Sequence, residues 1–522
     1  MIPILINKEQ RSWFFLLIAC ICLVLLPTFL TALFLDPSVY NNSSDTYLYL
    51  DIARNLFLGK GLVVSFNAYQ FWQGTTYPAL PFVHVGLSVF LAAAWGFLPS
   101  LKGLILLGFL PAVANSCLIA AIAMRMYRDR SLAFWAAVLV ASSICTQITL
   151  LRILTEQGSL FLTLLAVYIF VSREKWNKPA LAVLAVLLFL SALWRSAALL
   201  YPVIFALAML VPDSAKPVRF KDVLFFAGIS AGLILLWEGG IVLRYGVVSP
   251  QYPAAFKNYF IATRIAGGAF ADGTPALLPL AHDSASFGLA FANVKEMFHV
   301  LYCVLRVLIV PAAWVFMNIL RKGRRAEWLL VFLAVGQKLG PVAFYPFMKI
   351  GEFGWTRFLL VPVACLVIFG GKGLRGFCDK FLPRTGKIFF HALFAIILFT
   401  SLYQSVRVLD VYWQEERSGV KEKSLKNVKA WVLSHTGPDE LMAASEYVIG
   451  NAFLERPVVV LPSHKTLSSR NLKDFLRVFS PRVLICEHSL PLDQGVLSSE
   501  GFVLAYGGAP GDPLAVYQKQ FM

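Results

Sequence analysis

Ser43-Ser44-Asp45-Thr46-Tyr47-Leu48-Tyr49-Leu50-Asp51-Ile52-Ala53-Arg54-Asn55 follows the first long apolar run of the chain and places two carboxylates six residues apart. Charge is scarce around it, since 58% of the 522 residues are apolar and only 14% are charged, with mean hydropathy +0.70. A soluble domain is about 45–50% apolar and about 25% charged. The composition therefore points to a multi-pass membrane protein, in which this stretch is a loop between spans. On a helix the two acids point to different faces, and Asp45 shares a face with Tyr49 and Ala53 at i, i+4 and i+8. Asp45 is then either the N-cap of a helix after Ser43-Ser44 or a functional acid, and Asp51 is a solvated or structural one.

The formal charge of +17 does not indicate nucleic acid. Lys and Arg sit in short clusters between apolar runs, as cytoplasmic loops do. Six of the eight cysteines fall inside apolar runs without metal-ligand spacing, so they read as small core residues rather than a disulfide framework. The run 12–35 follows Lys8 and Arg11 but exceeds the roughly 7–15 residues of a signal-peptide core, and no A-x-A site follows it. It reads as a retained first helix.

A span needs roughly 20 apolar residues, fewer where the bilayer thins. About eleven spans are expected, near 12–35, 103–124, 131–151, 157–172, 179–193, 197–212, 222–243, 298–320, 326–346, 357–371 and 388–408. Keeping the basic clusters around Lys8, Arg125, Arg173, Lys216, Arg321 and Lys372 in the cytoplasm puts the amino terminus inside and the carboxyl terminus outside. Counting Pro78–Pro99 as a crossing would put Arg125–Arg130 outside, so this run is read as an interfacial or re-entrant part of the first external loop.

Two domains follow. Residues 1–408 form an α-helical transmembrane domain with a first external loop at 36–102 and a large one at 244–297. Residues 409–522 change character, with a helix expected near 421–435 and strands near 440, 457, 482, 502 and 514, and read as a small extracytoplasmic α/β domain.

Glu156, in "LRILTEQGSLF", is placed on the same membrane face as Asp45. Either Thr155 or Glu156 caps the next helix, or the acid is used, because carboxylates between apolar spans are costly. Arg195, in "SALWRSAALLYP", and Arg357, in "KIGEFGWTRFLLVP", interrupt or open spans on that face. They either snorkel to headgroups or bind phosphate through the forked guanidinium. The prolines of Tyr77-Pro78-Ala79-Leu80-Pro81 explain a rigid bend, and the glycines of "FGGKGLRG" follow no strand and are unsuited to cradle phosphate. No His spacing suits a metal.

In order and spacing, "SSDTYLYLDIARNLFLGKG", "TTYPALP", "LRILTEQGSLF", "LSALWRSAALLYP" and "GWTRFLLVPVACLVIFGGKGL" resemble the polytopic GT-C glycosyltransferases. The closest branch is the bacterial one related to dolichyl-phosphate-mannose–protein mannosyltransferases and lipid A aminoarabinose transferases. The resemblance covers about 10–410, and the terminal α/β domain is similar to those of bacterial members. It implies an inner-membrane enzyme that moves a sugar from a polyprenyl-phosphate donor to a lipid, glycan or protein acceptor of the envelope. Asp45 matches the family's catalytic base or acceptor-orienting acid, and Glu156 the acid that positions acceptor or metal. Arg195 and Arg357 match basic positions near the donor, and Tyr49 and Tyr77 are assigned to substrate binding. Asp45-Thr46 replaces the Asp-Glu of the protein mannosyltransferases and no β-trefoil insert is present, which speaks against protein O-mannosylation.

A carboxylate base and an Arg- or cation-stabilised phosphate suit this chemistry, and a single in-line displacement inverts the anomeric centre. No cofactor is indicated with certainty, and a divalent cation stays open because hard-cation sites need only scattered oxygens. Two other classes compete: a transporter or lipid-sugar flippase, which usually shows repeats that are missing from this sequence, and a scaffold, which leaves Asp45, Glu156 and Arg357 without purpose.

Overall fold

In lipid, an apolar run must satisfy its own backbone hydrogen bonds, and helices do so within one segment. The structure, a computed structural model, describes residues 8–37, 44–63, 66–67, 85–98, 100–152, 155–173, 175–213, 218–245, 285–344, 357, 359–418, 420–445, 448, 454, 456–461, 469–488, 490, 492–507 and 514–520. Its helices are α1 Lys8–Phe34, α2 Ser44–Phe57, α3 Val85–Trp95, α4 Leu101–Leu107, α5 Phe109–Tyr127, α6 Arg130–Ser142, α7 Ile144–Leu150, α8 Glu156–Ser172, α9 Lys178–Trp194 and α10 Tyr201–Leu210. They continue with α11 Phe220–Tyr245, α12 Ala285–Leu305, α13 Ile309–Lys322, α14 Arg325–Phe344, α15 Leu360–Phe381, α16 Gly386–Ser418, α17 Val420–His435, α18 Ser469–Phe479 and α19 Gln494–Ser499.

A helix answers each of the eleven expected spans. Among the described residues six are long and apolar enough to cross a membrane, and α6 with α7, bent by 50° at Ser143, adds a seventh. The chain is thus a polytopic membrane protein. The other four expected spans fall on α8, α9, α10 and α14; α8 and α9 have 17 residues each. At 1.5 Å per residue, 17 residues reach about 26 Å, just under a hydrocarbon core of about 30 Å. Within 78–99 the described helix α3 has only 11 residues, too few to cross.

The chain divides into two compact units, and the division differs from the expected cut at 408/409. The first unit comprises Met1–Leu33, Ile105–Gly246 and Asp283–Asp410, and the second Phe34–Leu104, Val247–His282 and Val411–Met522. The first external loop therefore belongs with the carboxyl-terminal segment.

In the first unit, glycines permit a close helix contact. A Cβ at Gly370 would press on the Leu308 carbonyl, and one at Gly373 would overlap that of Pro311. The glycines of "FGGKGLRG" thus let α15 lie against the start of α13, the small-residue packing typical of membrane helices.

The second unit holds a six-stranded sheet in the order β1-β3-β2-β4-β6-β5: β1 Phe66–Asn67, β2 Met442–Ala444, β3 Val458–Val460, β4 Val483–Glu487, β5 Phe502–Tyr506 and β6 Leu514–Lys519. The first four strands in that order run parallel, while β6 is antiparallel to both β4 and β5. All five expected strands are present; β1, from the first external loop, is an addition.

Alternation with period two sorts the strand residues. Met442, Ala444, Val483, Ile485, Leu514 and Val516 share a core with Leu425, Val428 and Val432 of α17 and with Leu48 and Ile52 of α2. Ala443, Leu484, Cys486 and Ala515 pack with Leu472, Phe475 and Leu476 of α18 and Leu497 of α19. Helices cover both faces, as a largely parallel sheet requires.

Candidate active site

In the first unit α8 and α9 meet along a seam of small polar side chains. The Ser159 and Ser191 hydroxyls lie 2.9 Å apart, and Thr163 Oγ1 is 3.0 Å from Ser191 Oγ. The Trp194 ring lies on Gly158, where any Cβ would overlap it. This approach sets the first residue of α8, Glu156, beside the residue that ends α9, Arg195.

Arg195 leaves the helix in an extended conformation at φ −156°, with its N–H still donating to the Ser191 carbonyl at 2.9 Å. Its guanidinium Nη1 forms an ion pair with Glu156 Oε1. Arg357, just before α15, donates from Nε to the same oxygen at 2.7 Å. The Glu156 side chain is 2% exposed, Arg195 9% and Arg357 19%. Both arginines are thus turned onto a buried carboxylate, which replaces the headgroup-snorkelling reading. Glu156 also sits in the first turn of α8, where the helix dipole favours an anion.

Two guanidiniums share one carboxylate, so the three side chains carry one net positive charge. Glu156 Oε2 is buried and, among the described residues, has no hydrogen-bond partner. Guanidinium groups are the donors that suit an anion, and Glu156 Oε2 is an acceptor that suits a donor such as a hydroxyl.

Neighbouring polar residues extend the site in a way sequence reasoning missed. Asn115 Nδ2 donates to the Gln157 backbone carbonyl and to its Oε1, each at 3.0 Å, and Gln157 Nε2 donates to Thr149 Oγ1 at 2.7 Å. All three are buried. The signal was there in the polar clusters "ANS", "CTQIT" and "TEQGS", which interrupt apolar runs.

A divalent cation does not fit at Glu156, whose carboxylate is already neutralised by two guanidiniums that repel a metal. Among the described residues no three His, Cys, Asp or Glu side chains gather in a metal-binding arrangement.

The other expected site residues lie in the second unit. Asp45 is the second residue of α2, inside the helix rather than at its N-cap. Tyr49 and Ala53 are buried in the same helix, as the shared face required. Asp51 is 2% exposed, which removes the solvated reading and leaves the structural one. Tyr77 lies outside the described residues. Sequence reasoning set Glu156 with Asp45; its partners within its own unit are the two arginines.

No protein-family model and no curated protein sequence matches the chain. Solved structures do. ArnT from Cupriavidus metallidurans, bound to undecaprenyl phosphate, matches with a TM-score of 0.57 over 97% of this chain and 98% of that one, at 9% identity. AglB, an archaeal oligosaccharyltransferase from Archaeoglobus fulgidus in complex with an inhibitory peptide and a dolichol-phosphate, matches with a TM-score of 0.55 over 98% and 75%, at 10% identity. ArnT in the apo state gives 0.54 over 98% of both chains, at 11% identity. At these identities the likeness is one of fold: the chain shares its fold with ArnT and AglB.

Proposed function

We propose that the protein is a membrane glycosyltransferase that moves a sugar from a polyprenyl-phosphate donor to an envelope acceptor hydroxyl on the extracytoplasmic face. The observation that carries this reading is the buried Arg195–Glu156–Arg357 cluster, net positive, in a chain with the GT-C fold. Both similar proteins were solved with a polyprenyl-type phosphate bound.

In this reading Arg195 and Arg357 hold the donor phosphate and offset the charge that grows on it as the glycosidic bond breaks. Glu156 is a positioning residue that keeps both guanidiniums in place, with Oε2 free to accept from a substrate hydroxyl. Asp45 removes the acceptor proton. The acceptor oxygen bonds to the anomeric carbon as the bond from that carbon to the phosphate oxygen breaks, and the polyprenyl phosphate departs as an anion. One displacement of this kind inverts the anomeric centre. The amino terminus lies in the cytoplasm and the terminal α/β segment outside, as the basic loops require.

The test is transfer. Purified protein is incubated with radiolabelled polyprenyl-phosphate sugars and envelope fractions, and the acceptor fraction is counted. Label in an acceptor, lost in Asp45→Asn, supports the reading. No transfer from any donor, together with ligand flux in liposomes, favours a transporter instead.

A further inference from the structure

The helix that carries Asp45 belongs to the core of the carboxyl-terminal segment. Leu48 and Ile52 of α2 are buried in one cluster with Leu425, Val428 and Val432 of α17 and with the sheet residues Met442, Val458, Val483 and Val516. By register, position 45 stands at the N-terminal end of the stripe Leu48-Tyr49-Ile52-Ala53.

Three further ties join the loop to the same segment. Before α2, Asp36 Oδ2 pairs with Lys426 Nζ of α17 at 3.1 Å. After α2, Lys60 Nζ pairs with Asp439 Oδ1 at 3.3 Å. Beyond that, β1 adds an edge to the sheet, with Phe66 opposite Val458 and Asn67 opposite Val459. The ionic ties are exposed and weak; the shared core is the stronger constraint.

We infer that the carboxyl-terminal α/β segment is a positioning element for Asp45, and that α17, through Val428 and Lys426, sets where the first external loop holds its acid. This rests on the glycosyltransferase reading, in which Asp45 is the base. The segment is then part of the catalytic apparatus rather than an appended domain. It acts through Leu48 and Ile52 and not by touching substrate.

The full chain tests this with steady-state transfer and with separate measurement of polyprenyl phosphate binding. Val428→Ala is expected to lower kcat about ten-fold or more while donor affinity stays within about two-fold. Because a core variant can fail to fold, the exposed pairs supply a second arm. Lys426→Glu and Asp36→Lys are each expected to lower kcat about two- to five-fold, and the double variant to restore it, as an exposed ion pair allows. Variants that fold, bind donor and turn over at the wild-type rate overturn the inference, and so does a loss of kcat matched by an equal loss of donor affinity in the pair variants. If wild type transfers nothing, or Asp45→Asn transfers normally, the glycosyltransferase reading fails instead.

Discussion

Arg357 donates from Nε to Glu156 Oε1 at 2.7 Å, on a carboxylate that Arg195 engages from just past the end of α9. One buried acid thus holds two guanidiniums in place, and in the proposed reading these face the phosphate leaving group.

Arg357→Ala and Arg195→Ala should therefore weaken polyprenyl phosphate binding. Hydrogen bonds to charged groups are worth about 1.5–3 kcal/mol, so each loss should be roughly 10- to 100-fold in affinity. Arg357→Lys should recover only part of it, since an ammonium is a point charge without the fork. Isothermal titration with polyprenyl phosphate in detergent measures this.

Glu156→Gln should act differently. Removing one partner of a buried ion pair is destabilising by about 3–5 kcal/mol, so thermal unfolding of the variant should come earlier. Added polyprenyl phosphate should raise its unfolding temperature more than it raises that of wild type, because the phosphate supplies the missing negative charge. An equal shift in both proteins would separate Glu156 from the phosphate.

Gly158→Ala should push Trp194 off α8 and loosen the seam that brings Arg195 to Glu156. Overpacking of this kind costs about 1–3 kcal/mol. Trp194→Phe in the same chain should recover part of both stability and donor affinity. No recovery would mean that the glycine serves something other than the ring.

Asp45→Asn should abolish most transfer while leaving expression and donor affinity intact. A general base contributes typically 10²–10⁴-fold, and the rate in the transfer assay should fall by about that much. Near-normal turnover would remove Asp45 from the mechanism.

In the sheet core, burial pushes the Cys486 thiol up to about 12, with Glu487 adding to the shift. Its thiolate is then scarce at neutral pH, and reaction with a maleimide at pH 7–8 should wait for unfolding. Peptide mass spectrometry locates the label; stoichiometric labelling of Cys486 in the folded chain would contradict its burial.

How much of this was legible in the sequence follows from the range of each interaction. Spans and strands are local: apolar runs marked every helix from α1 to α16 that crosses or nearly crosses, and alternation marked β2 to β6. Packing over distance was harder to read. Leu48 and Ile52 showed an i, i+4 apolar pair without saying what covers it, and a two-residue strand at Phe66–Asn67 has no alternation to detect. This is why sequence alone does not tie the first external loop to the carboxyl-terminal strands, and why it does not show that Asp51 is buried. At the site, composition singled out Glu156, Arg195 and Arg357 as charges out of place. The contact from Glu156 to Arg357 spans 201 residues, and the approach that brings Arg195 beside Glu156 has the Trp194 ring lying on Gly158, which no periodicity encodes.

The most direct measurement is single-turnover reaction of a radiolabelled polyprenyl-phosphate sugar with an accepting envelope fraction, run for wild type and for the Arg195→Ala/Arg357→Ala double variant at saturating protein. Wild type should move the sugar with inversion at the anomeric carbon, and the double variant should do so at least about 100-fold more slowly. Equal rates in the two proteins, or transfer with retention, would contradict a phosphate leaving group held by Arg195 and Arg357 in a single displacement.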